Sequence, residues 1–199
     1  MSDAPARLGP STFIPVVGPS GAGKDTLIRT AAETFAGRSG IRFVRRLVTR
    51  RSDSATEDHD SLDEAAFARL VETEGVALHW RAHGLGYAIP LVVDEWIAGG
   101  AVVIANLSRK AIGDAAERYC NVTVVNVTAP SDILRVRLHG RGRESGADIE
   151  ERLAPVPVAV PEGVALVEIV NDREPEFAAR QFEGVVERHI RENARRLAG

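Results

Sequence analysis

The sequence predicts an α/β fold, a parallel sheet covered by helices on both faces. Three observations lead there. A short apolar run, Phe13 to Val17, opens into a glycine-rich loop and then into a segment with helical periodicity. Farther along, short strand-like runs alternate with helical stretches, the pattern of βαβ units. Gly18, Thr49-Arg50, Asn106 and Asn171 all fall where such strands end. In sheets of this kind a ligand sits outside the carboxyl ends of the strands.

Taken in order, Phe13 to Val17 is the first strand, too short for a helix and stopped by the loop. Pro15 is awkward in a central strand because it cannot donate to a ladder, and a local bulge is expected there. Asp25 to Ala36 is a helix, with Leu27, Ile28, Ala31, Ala32 and Phe35 on one stripe and Gly37 and Gly40 closing it. Ile41 to Thr49 reads as the next strand, running into Arg50 and Arg51. The polar, acidic stretch Ser52 to Asp60 reads as a surface loop. Ser61-Leu62-Asp63-Glu64 has capping-box spacing and starts a helix through Glu74, ended by Gly75. Val76 to Pro90 is a hairpin turning at His83-Gly84, and Pro90 opens a helix that reaches Ala98. The continuous apolar run Ala101 to Ala105 is a strand covered on both faces. A helix from Ser108 to Tyr119, a strand from Val122 to Val127 and a helix from Ser131 to His139 follow. Pro155 to Pro161 is a loop, Val164 to Val170 the last strand, and Pro175 to Leu197 a C-terminal helix.

The totals fit a single domain spanning residues 12–199 behind a loose N-terminal tail, 1–11. At 199 residues the chain can bury enough surface to fold without disulfides or metal. An apolar fraction of 44% and a charged fraction of 27% are ordinary for a soluble protein. The net charge of −3 argues against general nucleic-acid binding. Cys120 is the only cysteine, which excludes an intrachain disulfide and suits a reducing cytoplasm, the expected location. No apolar run reaches membrane-spanning length, and Met1 to Pro10 lacks a signal peptide's apolar core. Neither a nucleic-acid nor a membrane partner is expected, and a homodimer is left open.

The chemistry starts at Gly18-Pro19-Ser20-Gly21-Ala22-Gly23-Lys24-Asp25-Thr26. This matches the phosphate-binding pattern G-x-x-x-x-G-K, with Asp25 in the place of Ser or Thr and Thr26 after it. Its glycines let successive backbone N–H groups turn inward on phosphate oxygens. The helix that follows aims its positive dipole end at the same anion, and Lys24 adds a full charge. A plain glycine-rich turn would explain the glycines. It would not explain the ordered set of strand, loop, lysine and helix.

The loop, the hairpin with Trp80 and Gly84-Leu85-Gly86-Tyr87, and the Arg-rich segment at Arg141-Gly142 resemble the guanylate-kinase-like branch of the nucleoside monophosphate kinases. Within it, the chain is similar to the ribose 1,5-bisphosphate phosphokinases of phosphonate breakdown. The similarity lies at Gly18 to Asp25, Val48-Thr49-Arg50, Glu57-Asp58-His59, Leu78-His79-Trp80, His83-Gly84-Leu85, Asn106-Leu107-Ser108-Arg109 and Arg141-Gly142-Arg143-Glu144. The resemblance implies a P-loop kinase sheet, a small hairpin and helix region for the acceptor over about residues 50–90, and an Arg-rich lid over about 140–150. It also implies a transferase that uses ATP and Mg2+ to convert ribose 1,5-bisphosphate to 5-phosphoribosyl 1-diphosphate. Guanylate kinases read their base with a glutamate just before the equivalent of Trp80 and a Ser or Thr two residues after that of Tyr87. Here His79 and Ile89 stand there, and Asp53 replaces the second phosphate-binding arginine. A polar edge left unpaired in a closed site costs about 1–3 kcal/mol per group, so guanine should be rejected.

On this resemblance, Lys24 contacts the β- and γ-phosphates, Thr26 an α-phosphate oxygen, and Asp25 holds magnesium. Asp25 would equally serve as favourable charge at a helix N-terminus, and Thr26 as a helix-start residue. Arg141 and Arg143, with Arg152, read as a lid over the transferring phosphoryl, for which forked guanidinium donors are suited; a solvated basic face is the alternative. Arg50, His79, Tyr87, Asn106, Ser108, Arg109 and Arg152 are the candidate acceptor contacts. His79, His83 and His59 could be plain loop histidines, and Tyr87 plain hairpin packing. A nucleoside monophosphate kinase of unusual specificity and a non-catalytic binding module are the competing readings; Lys24, Arg141 and Arg143 weigh against the second.

Overall fold

Ser11 to Val17 are buried without a break and form the inner part of β1 (Leu8–Val17). This strand sits at the centre of a parallel sheet with β2 (Ile41–Phe43), β7 (Val102–Asn106), β8 (Tyr119–Thr128) and β9 (Ala165–Val170), in the order β2-β7-β1-β8-β9. The computed structural model describes residues 6–50, 59–139 and 157–198. Arg141, Arg143 and Arg152, with the expected lid, lie outside the described residues, as do Arg51, Asp53 and Glu57.

Alternation along the central strands divides the core in two. On one face Ile14, Val16, Ile104 and Val125 meet α1 (Lys24–Thr34) through Leu27 and Ala31, and α6 (Pro175–Ala198) through Phe182 and Val186. On the other, Phe13, Val17, Val103 and Val124 meet α3 (Val92–Ala98) through Val93 and Ile97, and α4 (Ile112–Arg118) through Ile112 and Ala115. Asp94 of α3 ties this face together at the foot of β8. It accepts hydrogen bonds from the guanidinium of Arg118 and from the Tyr119 hydroxyl at 2.9 Å. Burial, then the Asp94 charge, pushes the Tyr119 phenol far above its ordinary pKa. The α5 helix (Ser131–His139) follows β8 with the bounds read from the sequence.

A second sheet has the order β4-β3-β6-β5, from β3 (Arg46–Val48), β4 (His59–Ser61), β5 (Val76–Ala82) and β6 (Leu85–Pro90). The β5–β6 hairpin turns at His83-Gly84, as expected. Its inner residues Leu78, Trp80 and Ile89 join the main core, while α2 (Glu64–Glu72) covers the other face through Phe67, packed with Val76 and Ala88.

Several boundaries differ from expectation. β1 begins at Leu8, so residues 8–11 are strand rather than tail; Leu8 pairs with Tyr119. No bulge occurs at Pro15, which stays in register with Ala105; the irregularity falls between Leu8 and Thr12. The run Ile41 to Thr49 divides into β2 and β3, which belong to different sheets. Ser61 ends β4, opposite Val48, and Asp63 caps α2 instead by accepting from the Ala66 N–H at 2.7 Å. Pro90 closes β6 rather than opening α3. The segment expected as one helix from Ser108 is a short 3-10 turn, Arg109–Ala111, then α4, and Tyr119 already starts β8.

Candidate functional site

The glycine loop joins β1 to α1 along the carboxyl edge of the main sheet. Gly18 has φ 141°, and a Cβ there would stand 2.0 Å from the Val127 carbonyl oxygen. At Gly23, with φ 92°, a Cβ would stand 2.4 Å from Asn171 Nδ2. Both positions therefore demand glycine for the backbone turn and for close approach. The Asn171 amide, just after β9, donates to the Ala22 carbonyl at 2.8 Å and braces the loop from behind. Arg137 of α5 reaches the Gly21 carbonyl at 3.5 Å.

Gly23 is the N-cap of α1 and offers no side-chain acceptor to the first helical N–H groups. Those donors and the helix dipole suit a phosphate. Lys24 Nζ donates to the Gly18 and Pro19 carbonyls, each at 2.9 Å, which holds its ammonium across the loop mouth. Ser20 is half-buried, Ala22 buried and Thr26 exposed.

Asp25, in the first turn of α1, joins the loop to its surroundings. Its Oδ1 accepts from Asn106 Nδ2 at 2.5 Å, and an Arg46 guanidinium nitrogen lies 3.9 Å from the same oxygen. Arg46, on β3, also lies over the Tyr87 ring of β6 at 5.7 Å. Tyr87 in turn stacks on Trp80 of β5, with ring centroids 5.4 Å apart and planes 4° from parallel. A continuous layer thus runs from the glycine loop through Asp25 and Arg46 to the hairpin.

The structure brings Asn106, Tyr87, Asp25 and Lys24 to this edge of the molecule. Thr49, just before Arg50, is pinned to the hairpin: its N–H donates to the Gly86 carbonyl at 3.0 Å and its hydroxyl accepts from the Gly86 N–H at 2.8 Å. The half-buried Arg50 follows directly. Ser108 is a turn cap, accepting from the Lys110 N–H at 3.3 Å. Burial lowers the pKa of Arg109 from its ordinary value. His79 is not brought to the layer. It is exposed, on the face of β5 away from Trp80, and meets Phe67 edge-on at 6.5 Å. Ile89 is fully buried in the main core, and His59 is buried on β4.

Sequence reasoning underweighted Arg46, Asn171 and Arg137. Asn171 carried a usable signal, since it follows the last strand at the edge where ligands bind. Arg46 carried none, because its partners come from α1 and β6.

Among the described residues no group of three or more His, Cys, Asp or Glu side chains could hold a metal ion. The loop still fits magnesium, which is commonly held by one or two carboxylates together with substrate phosphates. Asp25 is the carboxylate in that place. No helix of the described residues is long and apolar enough to cross a membrane.

No family model matches the chain. It is 51% identical over 142 residues to the ribose 1,5-bisphosphate phosphokinase PhnN of Brucella melitensis, across 71% of this chain and 74% of that one. It is 42% identical over 184 residues to the protein of the same name from Rhodopseudomonas palustris, across 92% of both. Among solved structures, guanylate kinase from Anaplasma phagocytophilum superposes with a TM-score of 0.62 over 94% of this chain and 88% of that one. At 16% identity that likeness concerns the fold.

Proposed function

The chain belongs to the ribose 1,5-bisphosphate phosphokinase family, and from that membership we propose that it transfers the γ-phosphoryl of ATP to ribose 1,5-bisphosphate. An oxygen of the acceptor's 1-phosphate bonds to the γ-phosphorus. The bond from that phosphorus to the bridging β-oxygen breaks with its electron pair, and ADP leaves. The product is 5-phosphoribosyl 1-diphosphate. The acceptor phosphate is largely ionised at neutral pH, so no general base is needed, and catalysis reduces to positioning and charge neutralisation.

One observation carries this reading: the unbroken layer from the glycine loop through Asp25 and Arg46 to Tyr87 and Trp80. It sets a cation, Arg46, beside the place where the donor phosphates would lie. In this reading the N–H groups from Gly18 to Thr26 cradle the ATP phosphates, and Lys24 leaves the Gly18 and Pro19 carbonyls for the β- and γ-oxygens. Asp25 is the residue that would hold Mg2+, and the ion would supply charge neutralisation. Arg50, Asn106, Ser108 and Arg109 face the sugar and its phosphates, and Arg141, Arg143 and Arg152 close over the transferring group. A cytoplasmic role in phosphonate catabolism suits this chemistry.

The nucleoside monophosphate kinase alternative meets a physical obstacle. Ile89 is fully buried among apolar side chains and offers a guanine edge no hydroxyl. The test is an ADP-release assay with ATP and, in turn, ribose 1,5-bisphosphate, ribose 5-phosphate, GMP, AMP and dTMP. Turnover with ribose 1,5-bisphosphate far above the rest is expected. Efficient use of GMP with none of the bisphosphate would overturn the assignment.

A further inference from the structure

Arg46 is a largely covered cation beside the glycine loop, and no described carboxylate hydrogen-bonds it. Its side chain is 11% exposed, yet among the described residues its ion-pair partner, an oxygen of Asp25, is 3.9 Å away, beyond hydrogen-bonding distance. That oxygen already accepts from Asn106. The Arg46 guanidinium lies over the Tyr87 ring at 5.7 Å, a contact that does not engage its N–H donors as an anion would. Its nitrogens keep a path to solvent, so water completes them until an anion displaces it. The described residues supply none within hydrogen-bonding distance.

Its supports are rigid in comparison. β3 pairs with β6 through Leu47–Ala88 and Val48–Tyr87, and the Tyr87 ring is itself held flat on Trp80. The edge of the guanidinium is thus presented at a fixed height beside Asp25, the residue that follows the loop lysine. A planar fork held this way matches two oxygens of one phosphate.

We propose that Arg46 grips the reacting 1-phosphate of the acceptor and holds it in line with the ATP γ-phosphoryl. This rests on the reading of the acceptor given above. The 1-phosphate, rather than the 5-phosphate, is assigned because Arg46 stands beside the start of α1, where the donor phosphates would end. Arg46 is then what makes a sugar phosphate acceptable where a neutral base edge would leave the cation without an anion.

The test compares the parent enzyme with Arg46→Gln and Arg46→Lys, measuring binding by calorimetry without turnover. Titrants are ribose 1,5-bisphosphate, ribose 5-phosphate and ATP, and circular dichroism checks folding. Arg46→Gln should weaken ribose 1,5-bisphosphate roughly ten- to a hundredfold, the loss of a charge-assisted contact. Ribose 5-phosphate, which lacks the 1-phosphate, should bind parent and variant alike, and ATP should shift by no more than about threefold. Arg46→Lys should recover part of the loss, since it restores the charge but not the fork. Should Arg46→Gln fail to fold, Arg46→Lys alone still decides, by weakening the bisphosphate and not the monophosphate. Equal weakening of both sugars, or of neither, overturns the proposal. A parent that ignores ribose 1,5-bisphosphate but uses another acceptor overturns the functional reading instead. Arg46→Gln measured with that acceptor then separates the two: a raised dissociation constant keeps Arg46 as the acceptor's anion contact, and an unchanged one removes it.

Discussion

Every residue of β7 in the parallel sheet is buried, whereas in the second sheet β4 buries one residue of its three and β6 three of its six. An inner strand of a parallel sheet is covered by helices on both faces and is apolar throughout, while the edge strand β9 exposes four of its six residues. The second sheet is covered through a much smaller cluster of buried residues, Phe67, Val76 and Ala88. The glycine loop hangs from the first sheet, and the Arg46–Tyr87–Trp80 layer from the second. In the proposed reading the donor phosphates, common to many kinases, would be met from the more deeply buried sheet. In the same reading the acceptor, which separates one kinase from another, would be met from the thinner part, where substitutions disturb less of the core.

The largest expected effect lies on the donor side. Lys24→Ala should lower kcat by about a hundred- to a thousandfold, the usual loss of about 3–4 kcal/mol for a preorganised electrostatic contact. Its two hydrogen bonds to loop carbonyls are only part-buried, so the unfolding free energy should fall by about 1 kcal/mol or less. Steady-state kinetics and urea titration decide it. Near-normal turnover would take the lysine out of the reaction and leave the loop as a turn.

A change in the second sheet should behave in the opposite way. At Gly86 a Cβ would stand 2.9 Å from Phe67 ring atoms. Gly86→Ala should cost about 1–3 kcal/mol of stability through overpacking. Because Gly86 also pins Thr49 next to Arg50, the KM for the acceptor should rise while ATP affinity holds. Hydrogen exchange should show faster opening confined to β3–β6. Equal acceleration in β1 and β8 would mean that the two sheets unfold as one, and the contrast between them would fail.

Much of this division was legible before any coordinates. The strand–loop–lysine–helix order marked the donor side, and continuous apolar runs such as Ala101 to Ala105 marked the strands covered on both faces. α5 and the hairpin turn at His83-Gly84 came out at the expected places. What was lost depended on non-local pairing. Ile41 to Thr49 is one apolar-patterned run, and nothing in it says that Val44-Arg45 is where the chain leaves β7 for the hairpin. Ser61 had good cap chemistry but is claimed by pairing with Val48, so Asp63 caps instead. Tyr119 reads as a helix end until its hydroxyl is seen on Asp94, a residue of α3. Arg46 was one of several arginines, singled out only by the meeting of β3, α1 and β6.

The smallest effect is expected at His79, and it tests how far the acceptor side extends. Its position just before Trp80 suggested a substrate contact, because guanylate kinases place a base-reading residue there. In the structure β5 turns alternate residues to opposite faces, and Trp80 takes the face that stacks on Tyr87 and leads to Arg46. His79 takes the other, exposed and edge-on to Phe67, opposite Ala88. If only the inner face meets the acceptor, His79→Ala should change kcat/KM for ribose 1,5-bisphosphate by less than about twofold, as for a surface substitution. The lost edge contact with an aromatic ring should cost about 0.5–1 kcal/mol in stability, the lower part of the range for such pairs because the site is exposed. Kinetics and thermal unfolding on the same preparation measure both. A tenfold rise in acceptor KM with unchanged stability would put the outer face in contact with substrate. The hairpin would then have to twist on binding, since a side chain beside Phe67 cannot otherwise reach the layer on which Arg46 lies.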